Sequence, residues 1–280
     1  MDIYKSSHPA EAYLTLEYDD ELPTARVFMP ALSKGEVALL FLKESRPAVY
    51  TFSDPFLGAT PFTQIPQETG PLGILKLVSA LGVVIESRNK QDQINAMRLL
   101  EGTAEFDAAV VDQLKSLSAS DDPDIALSAI AVLLRAEPSS GIERLGTYLR
   151  NQREEPQSIA ILSISSELSQ INDDKTVPAL ETLASSNVLS IRLSAVGALR
   201  RFKDPRSASA LVQRLDDPNR LVRFFAVKAL AEIFQMKGDF DPSTPLFESN
   251  PEFYTGIWKQ WWVKGGGAAS AARRPTTSQS

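Results

Sequence analysis

From about residue 88 onward, apolar residues recur at i, i+3, i+4 and i+7, the spacing of a helix with one buried face. The stretches bearing this pattern resemble one another. SIRLSAVGALRRF from Ser190 lies on LVRFFAVKALAEIF from Leu221, with Arg192 on Arg223, Ala195 on Ala226, Ala198 on Ala229 and Leu199 on Leu230. Ser163 in IAILSISSEL, Ala129 in IALSAIAVLL and Ala96 in QINAMRLL take the same place, so positions 96, 129, 163, 195 and 226 are spaced 33, 34, 32 and 31 residues apart. A second helical pattern follows in successive units: VVDQLKSL from Val110, GIERLGTYL from Gly141, VPALETLA from Val177 and SASALVQRL from Ser207.

Between units stand Asp121-Asp122-Pro123, Glu155-Pro156, Ser185-Ser186-Asn187 and Asp216-Asp217-Pro218. Asp and Ser side chains accept hydrogen bonds from free helix N–H groups, and proline suits the first turn, where its missing N–H is not needed. Each unit therefore predicts helix, turn, helix. The small residues at the recurring position allow close helix crossing. The leucines beside them, Leu100, Leu133, Leu199 and Leu230, fill a shared core that no single pair could bury alone.

The first ninety residues have another period. AYLTLEY from Ala12, TARVFM from Thr24, VALLFLK from Val37 and AVYTFS from Ala48 alternate and favour β-branched or aromatic residues, which predicts short strands. Gly35-Glu36, Ser45-Arg46-Pro47 and Asp54-Pro55 punctuate them, and PLGILKLVSALGVVIES from Pro71 predicts a helix leading into the repeats. At the other end, PEFYTGIWKQWWVKG from Pro251 places Tyr254, Trp258, Trp261 and Trp262 at helical spacing. A tryptophan cluster can stack a sugar or a base. It can equally cover the apolar face that a terminal repeat leaves open, which is the reading preferred here.

The resulting organisation is a β-rich module at 1–70, a connecting helix at 71–87, a helical solenoid of about five pairs at 88–247, a Trp-rich capping helix at 248–264 and a flexible tail at 265–280.

Composition narrows the chemistry. The chain of 280 residues has no cysteine and a single histidine, His8, which argues against zinc sites, thiolate chemistry and a Ser-His-Asp triad. The net charge of −6 argues against a nucleic-acid binder. No Gly-x-Gly-x-x-Gly follows a strand, and there is no Walker loop. The pairs Asp121-Asp122, Asp173-Asp174 and Asp216-Asp217 could serve as acid and base, but their place at unit boundaries suits helix capping better. No cofactor is expected. No stretch is long and apolar enough for a membrane span, and the first residues lack a signal-peptide core, so the chain as it stands reads as cytoplasmic.

The run LDDPNRLVRFFAVKALAEI, from Leu215 to Ile233, resembles a HEAT repeat of the short bacterial type shared with phycobilisome-lyase-like repeats. It does so through its Asp217-Pro218 turn, the Val222-Arg223 pair and the Ala226/Ala229-Leu230 helix. The likeness extends over roughly 88–235. The unit at Ser163 departs from it, with Glu167 where leucine is expected and Ala160 where arginine is expected. PALSKGEVALLFLK, from Pro30, is similar to a β-module that precedes such repeats in some bacterial exported proteins, whose relatives carry a signal peptide. An exported location follows if the natural start lies upstream. A Trp-x-x-Trp-Trp ending occurs in the same proteins.

What the resemblance implies is a right-handed α-solenoid whose second helices line a concave protein-binding surface. It also implies that Asp217 pairs with arginines of neighbouring units, such as Arg192 or Arg223. The expected function is a non-catalytic scaffold or adaptor for another protein, with Arg144, Arg150 and Arg214 on second helices as contact residues. Two alternatives remain open. One is a bilin lyase or lyase-like chaperone. The other is nucleic-acid binding through the basic end, where Arg192, Arg200, Arg201, Lys203, Arg206, Arg214, Arg220, Arg223 and Lys228 gather.

Overall fold

The computed structural model describes residues 15–16, 37–40, 42–46, 49–52, 59–62, 74–103, 105–150, 156 and 158–266. The chain divides into two compact units, 1–136 and 137–280.

In the first unit, β1 (Thr15–Leu16) runs parallel to β4 (Val49–Phe52). β4 also pairs antiparallel with β3 (Leu42–Arg46), with a register irregularity between Glu44 and Arg46. β2 (Val37–Leu40) pairs antiparallel with β5 (Ala59–Phe62) in a second small sheet. β5 was not expected from the sequence. The strand expected from Thr24 lies outside the described residues. Four helices follow: α1 (Ile74–Ile85), α2 (Lys90–Leu100), α3 (Ala108–Leu117) and α4 (Pro123–Ala136). α1 packs on α2 and α3, and α4 packs on the same two helices. Their shared core holds Leu81, Ile85, Met97, Leu100, Leu114 and Leu133. Gly82 lets α1 approach α3, because a Cβ there would stand 2.7 Å from Val110 Cγ2.

The second unit is a two-layer stack. One layer holds the first helices of the repeats: α6 (Ala160–Gln170), α8 (Leu189–Phe202) and α10 (Arg220–Phe234), with α8 packed between the other two. The other holds the second helices: α5 (Pro138–Arg150), α7 (Val177–Leu183) and α9 (Ala208–Gln213). α11 (Thr244–Ser249) and α12 (Pro251–Val263) complete the described chain, with α12 against α10 and α9. Among the described residues, no helix is long and apolar enough to cross a membrane.

Burial corrects the repeat register at one place. Ala96, Ala129, Ala195 and Ala226 are fully buried, as close crossing requires, but Ser163 is only half-buried. Ile164 is buried in its stead, and Leu168 then occupies the leucine position taken elsewhere by Leu100, Leu133, Leu199 and Leu230. Glu167 therefore does not replace a core leucine. The unit is shifted by one residue and carries a larger side chain at its crossing point.

The caps also differ in detail from the sequence reading. Asp122 Oδ1 accepts the N–H of Asp124 at 3.0 Å and of Ile125 at 3.3 Å at the start of α4, as expected. At α10 the cap is Asn219, whose Oδ1 accepts the N–H of Leu221 at 2.9 Å, while Asp217 stands two residues earlier. α8 starts at Leu189 without a side-chain cap, so Ser186 does not play that part. The second helices have caps of their own. Asp107 starts α3, and Asp173 and Asp204, 31 residues apart, start the 3-10 turns that lead into α7 and α9. α8 and α10 end alike, with Lys203 and Gln235 in the left-handed region at φ 52° and 54°. That conformation satisfies a late carbonyl of each helix without a glycine.

Candidate protein-binding surface

The surface of the second unit is shaped by side chains that bridge neighbouring repeats. Asp217 is 3% exposed. It accepts Arg192 Nε on Oδ2 at 3.0 Å and Nη2 on Oδ1 at 3.4 Å, and its Oδ1 also accepts the N–H of Asn219 at 2.9 Å. Arg192 Nη1 donates to the carbonyls of Ser186 and Asn187 at 2.8 and 3.1 Å. One repeat later, Arg223 Nη1 donates to the Asp217 carbonyl at 3.0 Å, and its Nη2 stands 3.6 Å from Glu252 on α12. The two arginines, 31 residues apart, thus make corresponding bonds, one back to the preceding turn and one forward. The expected pairing of Asp217 with an arginine is present with Arg192, through the carboxylate; Arg223 meets its backbone carbonyl instead.

Further bridges follow the repeat spacing. Arg201 Nη2 donates to the Ile171 carbonyl at 2.9 Å, and Arg200 Nε and Nη2 reach Glu232 at 2.8 and 2.5 Å. In the first unit, Arg135 Nε donates to the Thr103 carbonyl at 2.7 Å, and Lys90 meets Asp122 and Asp124 at 2.8 and 2.9 Å. The hydrogen bonds to Asp122 and Asp124 raise the Lys90 pKa, and the bond to Lys90 lowers that of Asp122. Burial lowers the pKa of Arg201.

The basic end is therefore largely committed within the chain. Beyond the pairs above, Lys203 stands 3.8 Å from Glu232, Arg206 pairs with Asp204 at 2.6 Å and Lys228 with Asp241. Of this basic group, Arg220, on the exposed first turn of α10, makes no bond or ion pair among the described residues. Positive charge neutralised by adjacent carboxylates contributes little to phosphate binding, which depends on counterion release from the nucleic acid.

The three arginines chosen from the sequence divide. Arg144 and Arg150 lie on α5, Arg144 half-buried and Arg150 exposed, with Arg150 Nη2 donating to Thr147 Oγ1 at 3.0 Å. Arg214 follows α9 and turns onto the repeat before it. Its Nη1 donates to the Ala184 carbonyl at the end of α7 at 3.1 Å and lies 3.9 Å from Asp217. α7 packs against α5 on one side and against the turn leading into α9 on the other, so α5 and α9 are not neighbours. Arg214 is thus two helices away from the other two. Its bridging role follows from the tertiary stack, since the sequence places all three alike on second helices.

A shallow depression of about 400 Å³ opens between Asp174, Phe202, Lys203, Asp204, Pro205 and Arg206. Arg206 and Asp204 are already paired there, and the Asp204 contact raises the pKa of Arg206. Among the described residues, no group of three or more His, Cys, Asp or Glu side chains could hold a metal ion.

Residues 142–231, from α5 into α10, match the family model described as HEAT repeats. This supports reading that stretch as HEAT repeats, a repeat type that generally mediates protein–protein interaction. No curated protein sequence matches the chain. One similar solved chain comes from work on the structural basis of microtubule plus end tracking by XMAP215, CLIP-170 and EB1. It is 16% identical, with 66% of this chain and 89% of that one covered at a TM-score of 0.40.

Proposed function

We propose that the stacked helix pairs act as a non-catalytic scaffold that holds another protein against the layer of second helices, with Arg144 and Arg150 among its contacts. The observation that carries this reading is where the charged groups are used. Carboxylates that could have formed an acid-base pair serve as caps or bridges: Asp107, Asp122, Asp173 and Asp204 cap helices or turns, and Asp217 bridges repeats. α5, by contrast, presents Glu143, Thr147 and Arg150 outward. Such a polar row on a rigid element suits recognition of a complementary protein surface.

Arg214 belongs to the same proposed surface, although one of its donors is engaged by Ala184. The finer likeness to the short bacterial repeat type, a β-rich module of its own at 1–70 and a capping role for the Trp-rich helix complete the proposed organisation.

The test is affinity capture with the full chain as bait and identification of co-eluting proteins by mass spectrometry. A protein enriched by the wild type and lost with R144E/R150E, at unchanged helical circular dichroism, supports the surface. Capture that ignores the double reversal removes both arginines from it. R214E is read beside a melting curve, because it also breaks the bond to Ala184.

A further inference from the structure

Beyond the layer of second helices, we infer that the outward face of the first-helix layer docks an amphipathic helix of another protein, one that carries an acidic residue near one end. The repeat register sets apolar residues of α6, α8 and α10 in a row across this layer. Two residues before the buried crossing positions Ile164, Ala195 and Ala226 stand Leu162, Leu193 and Phe224. Five residues before them stand Ile159, Ser190 and Leu221. Offsets of two and five turn a helical side chain to the far side from the buried residue. Ile159, helical in backbone just ahead of α6, is 71% exposed, Leu162 69% and Leu221 46%, while Leu193 is half-buried. A helix packed on one side ordinarily turns polar residues to the other.

The last position of the row is covered from within the chain, and it shows what the row takes. Phe247 of α11, 1% exposed, stacks on Phe224 with ring centroids 5.2 Å apart, so a short helix seats an aromatic side chain there. The occupant of the open positions continues that contact. Packed helices stand about 8–10 Å apart, and two turns of a helix rise about 10.5 Å, so apolar residues seven apart on a crossing helix reach successive positions of the row. An extended segment would instead leave its backbone N–H and C=O groups against apolar side chains. Charge fixes the kind of helix. Arg220, exposed and unpaired, adjoins Leu221 at the start of α10, whereas Lys228 on the same side is held by Asp241. Among its described residues the row has no carboxylate, so the same face of a second copy brings nothing for Arg220. A single unpaired cation beside the row is also too few for an anionic lipid surface, where attraction grows with each Lys or Arg. An acidic side chain on the partner helix answers Arg220.

The test presents the full chain to a phage-displayed library of peptides of about 16 residues, long enough as a helix to cross three others. The selected peptides are expected to carry Leu or Phe at three- and four-residue spacing with Asp or Glu near one end, and to gain helical circular dichroism on binding. Their affinity is expected to fall about tenfold for L162D/L193D and about threefold for R220E, with the second loss reversed when the acidic peptide residue is replaced by Lys. R144E/R150E is expected to leave it unchanged, which separates this face from the layer of second helices. A melting curve accompanies each variant, and L162D alone keeps the test valid if L193D disturbs folding, because Leu162 is mostly exposed. Failure to select any peptide, or peptides that bind L162D and R220E as well as the wild type, overturns the inference. So does flotation with phosphatidylserine vesicles that L162D abolishes, which assigns the face to lipid, or a concentration-dependent dimer that L162D abolishes, which assigns it to a second copy.

Discussion

Replacing Asp217 tests whether the bridges between repeats hold the second unit together. Its side chain is 1% exposed and its carboxylate receives two Arg192 nitrogens and one backbone N–H, while the Arg192 side chain is 12% exposed. Removing one partner of a buried pair typically costs about 3–5 kcal/mol, because the other charge remains desolvated. Here Arg192 keeps the carbonyls of Ser186 and Asn187 on Nη1, which moves the expected loss for Asp217→Ala to the lower end, about 2–3 kcal/mol. Asp217→Asn retains an oxygen for the Asn219 N–H and loses only the charge, so about 1–2 kcal/mol is expected. Replacing both partners with apolar residues of similar size, R192M/D217L, removes the stranded charge and restores part of the loss. Urea unfolding followed by circular dichroism measures all of these, with the two compact units allowed separate transitions. If Asp217→Ala shifts stability by less than about 0.5 kcal/mol, the size of an ordinary surface change, the bridge is not structural. An R192M/D217L variant no more stable than the sum of its single variants would show that the two side chains do not act as a pair.

Gly197 lies inside α8 with nothing within 4 Å of an added Cβ, so Gly197→Ala is expected to stabilise by about 0.5–1 kcal/mol, read from the melting temperature. Gly82→Ala must do the opposite, since its Cβ would meet Val110 at 2.7 Å; a stabilised variant would refute the α1–α3 contact. Trp258→Ala empties the most voluminous fully buried site and leaves the Phe240 carbonyl unpaired, a loss of about 3–5 kcal/mol in denaturant unfolding. Because Asp122 has a lowered pKa in the folded chain, its contribution is fully present above the ordinary carboxylate range and is lost as pH falls through that range, from about 5 downward, toward its folded value. Asp122→Asn should therefore flatten the acid limb of the stability profile, and an unchanged limb would count against the Lys90 bond.

The repeat spacing and the helix pairs were legible because they rest on local period and on residue types recurring at fixed offsets, while the pairing of Asp217 with Arg192 was expected only through the family resemblance. Small residues at a helix crossing leave a mark in a single sequence. The third unit escaped that reading. Ser163 has the right size for the crossing, and only burial of Ile164 and Leu168 shows that the helix is rotated by one position. The fate of the arginines was equally hidden. Arg150 and Arg214 look alike along the chain, yet one is exposed on α5 and the other is bound to Ala184, because the stacking of α9 on the preceding repeat brings a helix-end carbonyl within reach. Periodicity, determined by the sequence itself, fixes which face of a helix is buried. Only the tertiary structure decides which polar group meets which, since that depends on distances between elements some thirty residues apart.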